Sequence, residues 1–406
     1  MNGWGRVWRN PVLDVAAGLI ALVHVICIAV VLPSRTFTYD FNHSYVSSRL
    51  LREGHNPYRT SLATESEKYG FVHTEMIPTA TNPPSLLWLF APLTMVPPRA
   101  AFWVWVGVEA VSLAIILWLT RHLLRGRFTR RAWRFFCAGV LASAPVYWHF
   151  VFSHVEMTLG AVLLAAYAWH KDGRHDRACW AVMLTGMTKI YPLMLLPWFV
   201  WRSKCPAWKR WRNTAGLLLG ALAIILVTGR TLWADFFQIA IPTIRWWSVG
   251  HAFNFTLPSF VINLGQVLRS GSAQLKPGRL WWGAGTAIGL GAVLAAYAFC
   301  VTAEEDEDMQ FSVLCLAMIA GGLTAWAYYF VLLIYPVGLA AARLSQSPSL
   351  RRVFVFAALL IAMNSQGPWD KSFWGGTPIL MVLLNYLPLY GLVGFGFFLA
   401  RERRPT

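Results

Sequence analysis

Long apolar runs separated by short clusters of arginine and lysine dominate this sequence. The first run, 13–32, is long enough to cross the ~30 Å hydrocarbon core of a bilayer, which takes ~20 residues. No small-residue cleavage pattern precedes the polar segment after it, so we interpret it as a retained first span and not a signal peptide. Only 13% of the 406 residues are charged, against about 25% in an average soluble domain. The composition therefore argues against a soluble protein.

The positive charges predict how the chain is oriented. Lys and Arg number 35 against 18 Asp and Glu, and the excess lies between the apolar runs. This is typical of the cytoplasmic loops of membrane proteins, so we expect no nucleic-acid partner. Arg6 and Arg9 precede the first span, and Arg401, Arg403 and Arg404 follow the last. Both termini are therefore predicted to be cytoplasmic.

The runs predict an all-α polytopic membrane protein, a bundle of about 10–12 transmembrane helices in a single domain over 1–406. Segment 33–84 is the predicted first extracytoplasmic loop, with amphipathic helices at the membrane surface, and 229–279 the second extracytoplasmic region. The run 85–96 is too short to span, and we expect an interfacial helix there. The predicted spans are 13–32, 101–119, 135–151, 155–169, 214–228, 280–301, 309–323, 329–342, 353–364 and 376–399.

Segment 178–201 is predicted to be a broken membrane segment. Basic residues flank it on both sides, and Gly186, Lys189 and Pro192 lie in its middle. Irregular backbone at membrane depth is tolerated where it borders protein or a water-filled cavity. We therefore expect this segment to border a site, and the sequence leaves open whether it crosses the membrane or re-enters.

Two charged residues are candidates for chemistry. Asp40 follows the first span by a few residues, where partial burial suits a general base; the alternative is a helix cap or an interfacial charge. Lys189 lies in an apolar run, which costs roughly 2.5–3.5 kcal/mol by insertion scales. A phosphate is a natural partner for it; the alternatives are snorkelling to the interface or pairing with Glu109 or Glu156.

Three blocks of the sequence carry a family resemblance. The blocks are Tyr39-Asp40-Phe41 with Leu50-Leu51-Arg52-Glu53-Gly54 and Asn56-Pro57-Tyr58; Asn82-Pro83-Pro84 with Phe90-Ala91-Pro92-Leu93; and Gly186-Met187-Thr188-Lys189-Ile190-Tyr191-Pro192 with Leu195 and Pro197. In this order they resemble glycosyltransferase family 87, the polyprenyl-phosphate-mannose-dependent enzymes of the GT-C superfamily. Asn82 stands where that family has an aromatic residue.

The resemblance implies a GT-C type bundle and an inverting transfer of mannose from a polyprenyl-phosphate donor to a glycolipid or glycan acceptor. Asp40 would be the general base, and Lys189 and Arg245 would bind the donor phosphate. We predict no cofactor and no metal, because Asn42 leaves Asp40 without a second carboxylate and no zinc spacing is present. The predicted substrate-binding residues are Tyr39, His43, Tyr58, His154, Glu156, Tyr191, His251, Asn254, Trp326 and Tyr328.

The sequence also departs from the family pattern. Ser153-His154-Val155-Glu156 stands where members often have Gly-Gln-x-Asn, and in Trp326-Ala327-Tyr328-Tyr329 a tyrosine, Tyr328, replaces the family's histidine. In the second outer region, Arg245, Trp246, Trp247, His251 and Asn254 suit a sugar phosphate, and an interfacial aromatic belt is the alternative.

Two other functions share some of these features. A transporter or flippase of a lipid-linked sugar would have internal symmetry and ionisable residues near the midplane, whereas this chain concentrates its polar residues in one outer loop. A membrane scaffold would gain nothing from Lys189. We therefore expect a glycosyltransferase of the plasma membrane and cell envelope, with its active site facing outside.

Overall fold

The computed structural model describes residues 11–35, 39–69, 71, 79–202, 206–244, 254–270, 279–302, 306–346, 349–365 and 378–401. Every regular element within these ranges is a helix, which confirms the all-α prediction.

The first part of the chain forms one long helix, a series of short helical pieces and a second long helix. The helices are α1 Pro11–Val31, followed by a 3₁₀ turn at Leu32–Arg35, α2 Tyr39–Arg52, α3 Leu62–Glu67, α4 Pro84–Phe90, followed by a 3₁₀ turn at Ala91–Met95, and α5 Pro98–Leu123.

The middle part contains the bends and breaks that shape the candidate site. Its helices are α6 Arg130–Leu141, α7 Ala144–Phe152, α8 Glu156–Lys171, α9 His175–Thr188, a 3₁₀ helix at Tyr191–Leu195, α10 Leu196–Arg202, α11 Ala207–Thr228 and α12 Arg230–Asp235, which continues as a π-helix at Phe236–Ala240.

The last part packs onto the middle part and completes the bundle. Its helices are α13 Leu257–Ser270, α14 Arg279–Thr302, α15 Glu307–Gly321, a 3₁₀ helix at Ala327–Leu333, α16 Ile334–Gln346, α17 Leu350–Asn364, α18 Pro378–Asn385 and α19 Leu387–Arg401.

Five helical stretches of the described chain are long and apolar enough to cross a membrane, and a bent pair brings the number to six. The chain is therefore a multi-pass membrane protein. The predicted number of about 10–12 is larger because it includes shorter helices, such as the 16-residue α8 and the 15-residue α15. The stretches are Pro11–Ser34, Pro98–Leu123, Ala207–Thr228, Arg279–Thr302 and Ala327–Gln346.

The predicted span 135–151 is bent. It is two helices, α6 and α7, that meet at an angle of 45°. Ser143, between them, is extended, and Pro145 occupies the first turn of α7. Proline lacks the amide hydrogen that a helix interior requires but is tolerated in a first turn, so it starts a new helix here.

The helix that opens the predicted first outer loop is more enclosed than a helix lying on a membrane surface. Every residue of α2 from Phe41 to Ser48 is buried. The Phe41 ring meets Phe102 of α5 edge-on at 5.4 Å, and the Tyr45 hydroxyl donates to the Val96 carbonyl at 2.9 Å. This packing fixes the start of α2, where Asp40 lies.

Asp306 and Asp308, in the described part of the acidic sequence 304–308, are both bonded to other helices of the bundle. Asp308 is buried and accepts hydrogen bonds from the Tyr167 and Tyr335 hydroxyls, at 2.5 and 3.0 Å. Arg127 lies 2.8 Å from it, and Arg343 bonds Asp306 at 2.6 Å. These two aspartates therefore connect the basic loop after α5 with α8, α15 and α16.

Candidate active site

Asp40 lies in the first turn of α2, at the positive end of the helix dipole. Burial raises the pKa of Asp40 to about 6, while the charge of Lys189 and a hydrogen bond from Tyr328 act in the opposite direction. Asp40 therefore lies at a helix end, as one of the two alternatives predicted. This position coexists with the environment of a general base, because the carboxylate is desolvated and faces a cation.

Lys189 lies at the break that the sequence predicts. Helix α9 ends at Thr188, Lys189 is extended, and the chain continues as the 3₁₀ helix containing Pro192. The break requires Gly186, because a side-chain carbon there would lie 2.5 Å from Cγ of Leu193. At this break the Lys189 ammonium lies near Asp40 and donates a hydrogen bond to Asn82.

Asn82 connects the three sequence blocks in space. The Lys189 ammonium donates to Oδ1 of Asn82 at 2.9 Å, and Nδ2 of Asn82 donates to Ser44 of α2 at 3.1 Å. The Tyr58 hydroxyl donates to the Asn82 carbonyl at 2.6 Å. Each family-like block therefore contributes to one partly buried cluster around Asp40 and Lys189.

A second group of polar side chains closes the site from the α7–α8 turn. His154 stacks on Tyr328, with ring centroids 4.7 Å apart, and its Nδ1 contacts Glu156. Burial lowers the pKa of His154 well below its ordinary value, and the nearby Lys189 charge acts in the same direction. His154 is therefore neutral at physiological pH and donates one N–H to the Glu156 carboxylate.

Two buried polar atoms of this cluster have no hydrogen-bond partner among the described residues. They are Oε1 of Glu156 and the hydroxyl of Tyr191. An unsatisfied buried polar group costs about 1–3 kcal/mol, and such a cost is relieved when a ligand supplies the partner. Glu156 accepts and Tyr191 donates or accepts, so together they match the hydroxyl groups of a sugar.

Several other predicted substrate-binding residues lie close to the site or contact the residues that hold it in place. His43 is buried on α2, and its Nε2 lies 3.0 Å from the Thr79 carbonyl. Tyr58 supports Asn82 as described. Trp326 immediately precedes the 3₁₀ helix that carries Tyr328.

Not every predicted residue reaches the site. Asn254 is used within the fold: its Nδ2 donates to the Leu323 carbonyl at 2.9 Å, and its Oδ1 accepts from the Ala325 amide at 2.8 Å. It shapes the turn before Trp326. Arg245, His251 and the side chain of Tyr39 lie outside the described residues, so their predicted roles stay predictions.

Glu109, which the sequence offered as an alternative partner of Lys189, pairs with a histidine instead. Its Oε2 lies 2.6 Å from Nε2 of His149, and both side chains are buried. The Thr158 amide donates to the same oxygen at 3.3 Å. This pair joins α5, α7 and the start of α8 directly behind His154.

Sequence reasoning missed two contributors, Asn82 and Tyr329. Asn82 contacts Lys189 across 107 residues of sequence, and the only local signal was its replacement of an aromatic residue. The Tyr329 ring packs 5.3 Å from that of Tyr191. Among the described residues, no group of three or more His, Cys, Asp and Glu side chains is arranged to hold a metal ion.

One known protein family matches this sequence over most of its length. The family model described as Glycosyltransferase family 87 matches residues 80–325, more than half of the chain. A search of curated proteins finds none that matches.

Two solved structures are distantly similar, both of ArnT from Cupriavidus metallidurans. The one bound to undecaprenyl phosphate is 14% identical, with 94% of this chain and 77% of ArnT covered and a TM-score of 0.37. The apo structure is 13% identical, with 96% and 78% covered and a TM-score of 0.38.

Proposed function

Because this chain belongs to glycosyltransferase family 87, we propose that it transfers a sugar from a polyprenyl-phosphate donor to a lipid-linked or glycan acceptor. The observation that carries the proposal is the meeting of Asp40 and Lys189, which are 149 positions apart in the sequence, in one partly buried polar cluster. A base and a cation side by side are what a transfer from a phosphate leaving group needs.

Asp40 is the proposed general base. The acceptor hydroxyl attacks the anomeric carbon of the donor sugar, and the Asp40 carboxylate takes the proton that this hydroxyl loses. A pKa of about 6 leaves most of the carboxylate ionised at neutral pH while keeping it a stronger base than an ordinary aspartate. Catalytic bases work best when their pKa lies near the operating pH.

Lys189 is the proposed phosphate-binding cation. As the bond from the anomeric carbon to the phosphate oxygen breaks, its electron pair leaves with the polyprenyl phosphate. The Lys189 ammonium, fixed by Asn82, stabilises that developing negative charge without having to reorganise. The sequence adds Arg245 as a second candidate for this role.

His154, Glu156 and Tyr191 are proposed to hold the sugar. The unpartnered atoms of Glu156 and Tyr191 suit sugar hydroxyls, and Tyr328 contacts both Asp40 and His154. Direct attack by the acceptor inverts the anomeric centre, so a β-linked donor gives an α-linked product. No covalent enzyme intermediate forms.

The family resemblance supports mannose as the sugar, and the basic clusters support a site on the outer face of the plasma membrane. Nucleotide sugars are not supplied there, which favours a lipid-phosphate donor.

The test is transfer by the purified protein from polyprenyl-phosphate mannose to a panel of glycolipid acceptors. We expect a mannosylated lipid and free polyprenyl phosphate in equal amounts. Translocation of intact donor across vesicles without sugar transfer would instead indicate a flippase. Parallel reactions with polyprenyl-phosphate glucose and arabinose identify the sugar.

A further inference from the structure

A basic cavity lies at the end of α5, on the face opposite to the one predicted for Asp40. It has a volume of about 400 Å³, and its walls come from the end of α5, the loop after it and the start of α6. Arg121, Arg125 and Arg130 line it together with Trp118 and Trp133. Tryptophan and arginine in this combination are characteristic of the headgroup region of a bilayer.

The three arginines of this cavity have no carboxylate partner among the described residues. Their neighbours do: Arg127 lies 2.8 Å from Asp308, and Arg131 lies 3.0 Å from Asp14. The loop therefore divides its positive charges into two sets, one used for internal ion pairs and one directed into the cavity. Three uncompensated guanidinium groups around a small cavity attract an anion, and arginine is well suited to phosphate.

An apolar cavity of about 830 Å³ adjoins the basic cavity, and Phe128 and Thr129 line both. It follows α6 and α16 through the depth of the bundle, with Phe136 and Val337 among its walls. Mostly hydrocarbon side chains surround it, so an acyl chain fits its chemistry. The two cavities together have the shape of a charged head continued by an apolar tail.

We propose that these adjoining cavities bind one anionic phospholipid, with its phosphate among Arg121, Arg125 and Arg130 and an acyl chain in the apolar part. The position of the three arginines favours this phospholipid over the polyprenyl-phosphate donor. Phe330, which lines the apolar cavity, directly follows Tyr329 of the candidate active site in the chain, whereas Arg121, Arg125 and Arg130 line the basic cavity. A donor with its phosphate at Lys189 would leave them unneutralised.

The test is lipid binding to the full-length protein purified in detergent, followed by native mass spectrometry and thermal unfolding. Phosphatidylglycerol and phosphatidylcholine with the same acyl chains are compared. We expect phosphatidylglycerol to remain bound and to raise the melting temperature, and phosphatidylcholine to do neither. The double variant Arg121→Gln/Arg125→Gln should lower phosphatidylglycerol affinity at least about tenfold. The matched control, Arg174→Gln/Arg177→Gln, removes two exposed charges and should bind normally.

A second pair of variants tests the acyl chain. Gly139 lines the apolar cavity, and a side chain there meets no atom within 4 Å. Gly139→Leu should therefore fill the cavity and weaken phosphatidylglycerol binding, while Gly291→Leu, equally unobstructed but outside the cavity, should not.

Three outcomes would overturn the proposal. Equal binding of phosphatidylcholine would show that the arginines do not recognise an anionic headgroup. Full competition by inorganic phosphate, with no effect of Gly139→Leu, would indicate an anion site only. Binding of polyprenyl phosphate in place of phosphatidylglycerol, lost in Gly139→Leu, would assign the cavity to the donor.

Discussion

At the scale of single residues, the pKa of Asp40 is determined by opposing influences. Burial raises its pKa to about 6, and Lys189 and Tyr328 keep it from rising further. The carboxylate must be ionised to accept a proton, so activity should increase as the pH rises through about 6. The fold itself responds in the opposite sense: because the pKa of Asp40 is raised in the folded state, stability falls as the pH rises from about 4 to about 6, and the loss persists at higher pH.

Tyr328→Phe tests this balance. The hydroxyl of Tyr328 donates a hydrogen bond that lowers the pKa of Asp40, so its loss should raise that pKa. The rising limb of kcat/KM should therefore move to higher pH, with the loss of activity greatest in acid. Tyr390→Phe removes a tyrosine hydroxyl elsewhere and should leave the profile unchanged. A limb that stays in place or moves to lower pH in Tyr328→Phe would contradict the assignment of the titrating group to Asp40.

Lys189→Met tests the phosphate contact. Methionine keeps much of the side-chain volume but has no charge, so the donor phosphate loses its cation. We expect turnover to fall by about 10²–10³-fold and the donor KM to rise, with little change in the acceptor KM. Lys68→Met removes an exposed lysine of segment 33–84 and is the control. A variant whose acceptor KM rises more than its donor KM would place Lys189 elsewhere in the site.

The two charged residues could be predicted because each is unusual where it stands: a carboxylate just past a span and an ammonium in an apolar run. Asn82 could not. Its importance arises only when the α2, α4 and α9 regions come together, and an asparagine before two prolines reads locally as a turn.

At the scale of elements, the break after α9 is the feature that makes the site. An unbroken helix would carry Lys189 and Tyr191 onto different faces of one cylinder. The break places them with Tyr329 and His154 around a common space. The Gly186, Lys189 and Pro192 pattern predicted this element, whereas the α6–α7 bend at Pro145 was missed because its apolar run is continuous.

Gly186→Ala tests the break. The added methyl group would overlap Leu193, so either the 3₁₀ helix moves or the variant is strained by about 1–3 kcal/mol. We expect a melting temperature lower by several degrees and reduced turnover. Gly107→Ala, also within a helix but with nothing within 4 Å, should be neutral or slightly stabilising. Equal behaviour of the two variants would mean that the turn at Leu193 is not tightly packed.

At the scale of the whole molecule, charge and hydropathy predicted a helical multi-pass membrane protein. The number of spans was less predictable, since the short helices α8 and α15 are buried by neighbours and need not satisfy the length rule for a single helix in lipid. The orientation rests on the positive clusters, one of which is partly neutralised by Asp308 in the folded protein.

Labelling of introduced cysteines tests the orientation. In a cysteine-free background, His55→Cys lies in the first outer loop and His122→Cys at the basic end of α5, and both positions are exposed. A membrane-impermeant thiol reagent applied to intact cells should label position 55, and should label position 122 only after permeabilisation. Labelling of both positions in intact cells, or of position 122 alone, would refute the proposed topology.

The measurement that tests the central claim most directly is the single-turnover rate of Asp40→Asn with bound donor. Asparagine keeps the shape of aspartate but does not take the proton, and general-base catalysis contributes about 10²–10⁴-fold. We expect a rate lower by that factor, with donor affinity and melting temperature equal to those of Asp172→Asn, an exposed control. A near-normal rate in Asp40→Asn would contradict the account and assign the base elsewhere, with Glu156 and His251 next to be tested.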